Sequence, residues 1–527
     1  MSRRSEHRPG ADSPAVTAAG GRPHVVAVVV PEPADAVTPV GLEQAGAEIA
    51  VVALQAGAKE GRAALDRALA AAADRGCGVL GAPRVLGGRD SGDTVAALLE
   101  ELRDLVPERL HTLDPDPVHL SFDRASGMPE YGVPPAHAET AAHALAAARA
   151  WQAESGRLLS VDCHRAGSDP GLGAASCRRY PAPATWLSAG FDGRLTAFLP
   201  TAAGLVRRYQ DAPGRWTGPE PVEGPGLLPG LSVVRDPHGL PHVFGLRRTA
   251  RGDGGVDVEV VHAAQYRTDG PPTPWHSLGG PNRGDWRRAR AVGFPAAAFD
   301  AAGGLHVFVR NFGHSISRRG QAADGSWTAW EHLSGTRVGD DLAAVTAPHG
   351  GVEVYARRRD APGAVRWFPG GPGGAWIEDR ALPFAPRPGT LTPAPEAGAV
   401  LFRDLHTNEA CLWQPGMPAP RPLGEVRGSG PLGAVRGVER DGWAYSVLTA
   451  AGPDGTCLVG AYPEGRPDTG VWWQDLGAPS YEAPAATVSR TGRLTVAARP
   501  PGRRLVLAGC DERAGGFSFG DWRPAQG

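Results

Sequence analysis

At 527 residues the chain is too long for one ordinary domain, so two or more are expected. Its 73 glycines and 51 prolines lie scattered among Val, Leu, Phe and Trp, the mark of many tight turns joining short strands and not of a disordered chain. The net charge of −2, from 54 basic and 56 acidic residues, indicates no nucleic acid or other polyanion as partner; Lys59 is the only lysine, and the arginines are not clustered.

Residues 1–22 carry Arg3 and Arg4 but no apolar core of the secretion-signal type, so they read as a flexible tail. The cytoplasm is then the default compartment, with export by another route left open. No run approaches the length of a membrane span. His24–Val30 is a continuous apolar strand, and Glu48–Leu54 is a second. Leu65, Ala68, Leu69 and Ala72 give the segment from Lys59 to Arg75 helical spacing. A strand at Gly78–Leu80, an amphipathic helix at Thr94–Leu105, a strand at Arg109–Thr112 and an Ala-rich helix from Pro135 to Gln152 follow. This alternation predicts a Rossmann-like α/β domain over residues 23–165, a parallel sheet covered on both faces. Ligands of such sheets lie beyond the carboxyl ends of the strands, where Pro31–Ala36 and Leu113–His119 fall.

Those two stretches, Pro31-Glu32-Pro33-Ala34-Asp35-Ala36 and Thr112-Leu113-Asp114-Pro115-Asp116-Pro117-Val118-His119, resemble the LmbE/PIG-L family of zinc-dependent N-acetylsugar deacetylases. The helix opening Pro134-Pro135-Ala136-His137 is similar to the family's His-x-x-His element and keeps its second histidine. The resemblance implies Zn2+ held by Glu32, Asp35 and His137, with Glu32 standing where the family has a histidine. Ala34 stands where the family has its general base, and a methyl group cannot accept a proton. Asp114 or Asp116 would have to substitute. The turn between Ala36 and Gly46 is also several residues shorter than the family's. Read without the resemblance, Asp35 is a helix cap or turn residue, His137 a surface histidine and Glu32 a loop carboxylate.

Residues 166–183 read as a linker. The six cysteines form no Cys-x-x-Cys pair and read as scattered thiols, although Cys163 and Cys177 could close a loop in an oxidising compartment. From residue 184 to 527 a glycine, an apolar residue and a short β-prone run recur at Gly193, Gly239, Gly304, Gly351, Gly398, Gly442 and Gly492, spaced 46, 65, 47, 47, 44 and 50 residues apart. Trp216, Trp275, Trp327, Trp376, Trp473 and Trp522 keep the same rhythm, and only the fifth unit lacks one. A period of this length made of strands and turns predicts an all-β propeller of seven blades, with six or eight left open if a terminal unit is split. This region is similar to propeller lectins and sialidase-like propellers; each Trp is either a wedge between blades or a platform for sugar. Ala323-Asp324-Gly325-Ser326-Trp327 only approximates a sialidase Asp-box, and no glycosidase assembly is legible.

The expectation is therefore a multidomain deacetylase homologue, weakly active or inactive, with a carbohydrate-binding propeller and a glycan or N-acetylated sugar conjugate as partner. The alternative is a non-catalytic glycan- or protein-binding propeller carrying a relic α/β domain. The oligomeric state is not legible.

Overall fold

A computed structural model describes residues 24–525 apart from short stretches, among them 116–119, 123–128, 132–134, 283–288 and 501–504. The expected tail, Asp116 and His119 lie outside the described residues. The chain begins with β1 (His24–Val30), a 3-10 turn (Pro33–Ala36), α1 (Val37–Leu42), β2 (Ala47–Ala53) and α2 (Lys59–Asp74). Then come β3 (Gly78–Val79), β4 (Arg84–Val85), α3 (Ser91–Leu105), β5 (Arg109–Leu113), a small hairpin of β6 (Leu120–Phe122) and β7 (Pro129–Tyr131), α4 (Pro135–Ser155) and β8 (Ser160–His164). Every pairing in the sheet β3-β2-β1-β5-β8, with β4 also on β2, is parallel. The sheet needs cover on both faces because its strands are apolar throughout. Val26, Val28, Val30, Ile49 and Val51 pack under α1 and α2. Ala27, Val29, Ala50 and Val52 pack under α3 and α4, through Leu98, Leu102, Leu145 and Trp151.

Seven four-stranded antiparallel sheets follow, spanning residues 187–222, 232–279, 296–332, 338–379, 392–422, 433–479 and 485–524. They are the seven expected blades. Each blade runs outward in chain order from an innermost first strand. The innermost strand of blade 7 (Ala485–Val488) packs beside that of blade 1 (Leu187–Ala189) and closes the ring. The N–H of Ala189 donates to Thr487 Oγ1 across that seam (3.1 Å), and Arg208 donates to the carbonyl of Ala525 (3.2 Å).

The periodic glycines mark the turn between the first and second strands of each blade. In blade 2, Asp236 Oδ1 accepts from the N–H groups of His238 and Leu240, and Gly239 takes φ +84°, a left-handed conformation that suits glycine. In blades 3 and 4 the left-handed residue is Gly303 and Gly350, one position before the glycine the repeat pattern marks.

The periodic tryptophans lie at or just before outermost strands. The indole N–H of Trp473 donates to Leu423 O in blade 5 (2.7 Å), and that of Trp522 to Leu476 O in blade 6 (2.7 Å). Trp330 reaches Leu278 O of blade 2 (2.9 Å) in the same way. These rings are wedges, each satisfying a carbonyl of the preceding blade while filling the gap between the two sheets.

Consecutive antiparallel strands fix two faces. Loops entering a blade and loops joining its second and third strands share one face; the glycine turns and the third-to-fourth turns share the other. The α/β domain sits on the first. Arg149 of α4 donates to Leu227 O (2.9 Å), Gln152 to Thr201 Oγ1 (3.2 Å), and Arg499 of blade 7 to Ser160 Oγ (2.9 Å). Leu145 and Trp151 share one apolar cluster with Leu228, Phe244 and Phe294 of the propeller. No helix among the described residues is long and apolar enough to cross a membrane.

If the tryptophans are wedges, Trp473→Phe removes one hydrogen bond and little volume, lowering unfolding free energy by about 1 kcal/mol. Trp473→Ala leaves a void and costs about 3–5 kcal/mol. Urea denaturation followed by circular dichroism checks both; a Trp473→Phe variant as stable as the parent would argue against the carbonyl bond having any weight, and equal losses for the two variants would argue against the wedge.

Candidate functional site

The carboxyl edge of the α/β sheet is where the sequence places a site. Beyond β1, Glu32 and Asp35 bracket the 3-10 turn: the N–H of Glu32 donates to Asp35 Oδ2 (3.3 Å) and that of Asp35 to Glu32 O (3.0 Å). Asp35 thus serves as a turn-closing carboxylate. It also meets His137 from the start of α4, Oδ1 to Nε2, at 3.4 Å. Burial raises the Asp35 carboxyl above its ordinary value, and the nearby imidazole of His137 opposes that rise. The other ring nitrogen of His137 is buried without a hydrogen-bond partner. The structure therefore brings Asp35 and His137 together, although they are a hundred residues apart in the chain.

A catalytic zinc needs three protein ligands beside its water. Among the described residues no group of three His, Cys, Asp or Glu side chains is placed to hold a metal. With two of three donors the described residues do not make up such a centre, and no step through a metal is derived. Ala34, at the position of the family's base, packs against α2 so closely that a Cβ on Gly61 would lie 2.9 Å from its methyl. Asp114, at the end of β5, is buried against Arg179 Nε at 3.0 Å. Asp116, the other substitute base, lies outside the described residues.

Arg179 comes from the stretch expected as a linker. Its described residues 174–180 are mostly buried, and the chain runs back along β8: the N–H of Arg165 donates to Cys177 O (2.8 Å) and that of Arg179 to Cys163 O (2.7 Å). Cys163 and Cys177 are both buried, in segments joined by these main-chain bonds. The resulting strap carries Arg179 past the end of β5 to Asp340 of blade 4 (3.5 Å). Arg310 of blade 3 (2.5 Å) and Arg165 (3.4 Å) bind the same carboxylate. The crevice where an α/β sheet would take its ligand is filled by this strap.

A second polar cluster lies beneath it, and sequence reasoning missed it. His111 of β5 contacts Glu43 Oε1 through Nε2 and His164 of β8 through Nδ1, both at 2.6 Å. Asp162 accepts from Arg109 Nε (2.7 Å) and faces Arg178 Nε at 2.9 Å. Burial, with help from the His111 ring, holds the His164 imidazole well below its ordinary value. Burial alone would raise the Asp162 and Glu43 carboxyls, but Arg109 and its cationic neighbours outweigh it and both fall. The available signal was weak: two histidines and two acids inside or beside otherwise apolar strands.

The propeller encloses the other site. A central cavity of about 600 Å³ runs along the innermost strands of blades 2 to 6. Pro181, Ala184 and Thr185, just past the strap, line it together with Phe294, Asp340 and Gly389 at the capped end. Arg235, Phe299, Thr346, Glu396, Arg436 and Val488 line it toward the uncapped end. Around that uncapped face stand the exposed aromatic rings of the propeller, Phe191, Tyr266, Trp443 and Trp472, 58–74 % exposed. They come from glycine turns, third-to-fourth turns or the strand ends beside them.

No family model and no curated relative matches the chain. Among solved structures it is similar to the BP39L lectin from Burkholderia pseudomallei, at 16% identity and a TM-score of 0.45 over 66% of this chain and 98% of that one. It is also similar to the SapL1 lectin in complex with alpha methyl fucoside (17% identity, TM-score 0.34, 55% of this chain and 95% of that one). A third is the Aleuria aurantia lectin, described as a six-bladed β-propeller (15%, 0.31, 55% and 92%).

Two predictions follow from the polar clusters. Arg179→Met strands Asp114 and one edge of Asp340 in a buried setting and lowers unfolding free energy by about 3–5 kcal/mol; urea denaturation measures it, and limited proteolysis at residues 166–183 should accelerate. The buried cluster makes the protein acid-labile. His164 resists protonation in the fold, so stability falls as pH drops below about 6.5, where the unfolded chain takes up that proton. Asp162 and Glu43 add a further loss below about pH 4, because their folded carboxyls hold charge that the unfolded ones give up. Thermal midpoints between pH 8 and 3.5 test this, and a profile flat down to pH 5 would exclude the histidine contribution.

Proposed function

We propose that this chain is a non-catalytic glycan-binding propeller protein whose α/β domain closes one end of the ring. The observation that carries the reading is the central cavity, with Arg179 of the strap bound to Asp340 on the α/β side and polar and charged side chains lining its other end. A ligand then enters from the uncapped face. Sugar is the class that fits the rings standing there, because a pyranose offers an apolar face to stack on an aromatic and hydroxyls to the polar groups beside it.

Two features weigh against deacetylation in the α/β domain. The position of the base is a methyl group packed on α2, and the nearest substitute within the described residues, Asp114, is already bound to Arg179. A carboxylate held by a guanidinium is a poor proton acceptor at neutral pH. The Asp35–His137 contact then fastens α4 to the turn after β1.

Screening the purified full-length chain on a glycan array, followed by calorimetry with the best sugar, tests the reading. Binding is expected, with stoichiometric zinc absent after purification from zinc-supplemented medium and no acetate released from N-acetylglucosamine conjugates. Acetate release that is lost in His137→Ala would overturn it in favour of the deacetylase.

A further inference from the structure

We infer that the uncapped end of the central cavity binds an oxyanion, the carboxylate or phosphate of an acidic sugar, through Arg235 of blade 2 and Arg436 of blade 6. The inference rests on the reading of the cavity as a sugar site and gives that site its charge class.

Five charged side chains line the cavity, and their partners divide them. Asp340 is ringed by Arg310, Arg165 and Arg179. Asp341 accepts from Arg357 Nε (2.7 Å) and from the N–H of Gly389 (3.0 Å). Glu396 accepts at one oxygen from Ser446 (2.9 Å) and Tyr462 (2.7 Å). The two aspartates are thus served from within the protein, and Glu396 is served at Oε1 while its Oε2 is buried without a hydrogen-bond partner. The arginines are not so served.

Arg235 closes the innermost strand of blade 2 (Ser232–Arg235), immediately before a glycine turn, which places it at the uncapped end. Its side chain donates to one neutral group, Thr487 Oγ1 (3.2 Å), and has no carboxylate within ion-pair reach among the described residues. Arg436, on the innermost strand of blade 6, is exposed and likewise has no acidic partner among them. Desolvation pulls Arg235 down to about 10, a value at which it is still a full cation at neutral pH. Arg403 in blade 5 suffers a similar burial, but three carbonyls, of Gly430, Val426 and Ala451, accept from it. A guanidinium left with one hydroxyl keeps most of its fork for an outside acceptor, and that fork matches the two oxygens of a carboxylate or phosphate. Phe299, Pro395 and Val488 line the same cavity, and such apolar walls lower the local dielectric and strengthen the attraction.

The test titrates the full-length protein with glucuronate, glucose 6-phosphate, glucose and inorganic phosphate in a calorimeter. The expected result is that both acidic sugars bind at least about tenfold more tightly than glucose. Arg235→Gln should abolish that preference, and Arg235→Lys, keeping charge without the fork, should retain part of it. In the unsubstituted protein the acidic sugars should weaken as NaCl is raised while glucose does not, a readout independent of any variant. Equal affinity for glucose and the acidic sugars, or Arg235→Gln behaving as the parent, overturns the inference and leaves the sugar reading standing. Phosphate binding that needs Arg235, with no sugar bound, upholds the oxyanion site and overturns the sugar reading. Absence of binding by all four overturns both.

Discussion

Asp340 begins where the propeller and the α/β domain meet, and three arginines converge on it: Arg310 from the neighbouring blade, Arg165 and Arg179 from the chain leaving β8. Three cations about one buried carboxylate would repel one another unless a second acid shared the load, and Asp114 at the end of β5 takes Arg179 from the other side. The cluster holds only if strap, sheet edge and blade 4 stay in register, since moving any one of them strands a charge in a setting with little water. Much of the molecule's arrangement follows from that. The strap must cross the carboxyl edge of the sheet, so the crevice there is filled; it must reach blade 4, so the cavity is stopped at that end; and α4 is left lying on the loops of blades 1 and 2, where its apolar face joins the propeller's core.

The ring has its own constraint. A four-stranded blade buries one face only against a neighbour, and flat sheets arranged around an axis leave wedge-shaped gaps at their outer edges. The tryptophans fill those gaps, and the carbonyl bonds of Trp473, Trp522 and Trp330 fix how deep each ring inserts. Blade 5, which lacks the periodic Trp, has Trp413 on its third strand, set edge-on to Tyr355 and tilted against Phe384. The rings available to a ligand are a different set, Phe191, Tyr266, Trp443 and Trp472, which follow no period because packing does not require them.

This division explains what could be read from the sequence. The blade count was legible because turn glycines and wedge tryptophans answer to steric demands repeated seven times. The α/β domain was legible because buried parallel strands are apolar in unbroken runs, as in His24–Val30. Asp35 and His137 were grouped only through the family resemblance, and the structure sets their side chains 3.4 Å apart. The role of residues 174–180 was not legible. Glycine and serine around them look like an exposed connection, and only the partners Asp114 and Asp340, remote in the chain, turn Arg179 into a buried tie. The Glu43–His111–His164 cluster was hidden for the same reason: no local pattern tells a buried histidine from a solvated one. Arg235 escaped notice because an arginine before an Asp-Pro-His-Gly turn is the commonest of surface residues; its neighbours around the axis, not its neighbours in sequence, make it unusual.

The two ends of the cavity are chemically opposite, and the opposition follows from the order of strands. Each innermost strand starts at the α/β side, where Arg165 and Arg179 meet Asp340 while Arg357 of blade 4 itself meets Asp341, so both acids are neutralised on the spot. The same strands finish at the glycine turns, where none of the described residues of the α/β domain makes a contact, and whatever charge stands there must find its partner in the ring or outside it. Among the described residues Arg235 finds one partner, a threonine hydroxyl. A cation left so poorly served lowers stability, and nothing in the packing of blade 2 calls for a guanidinium at that position. Its counterion is therefore most simply a group that comes and goes through the uncapped mouth, past the exposed rings that surround it.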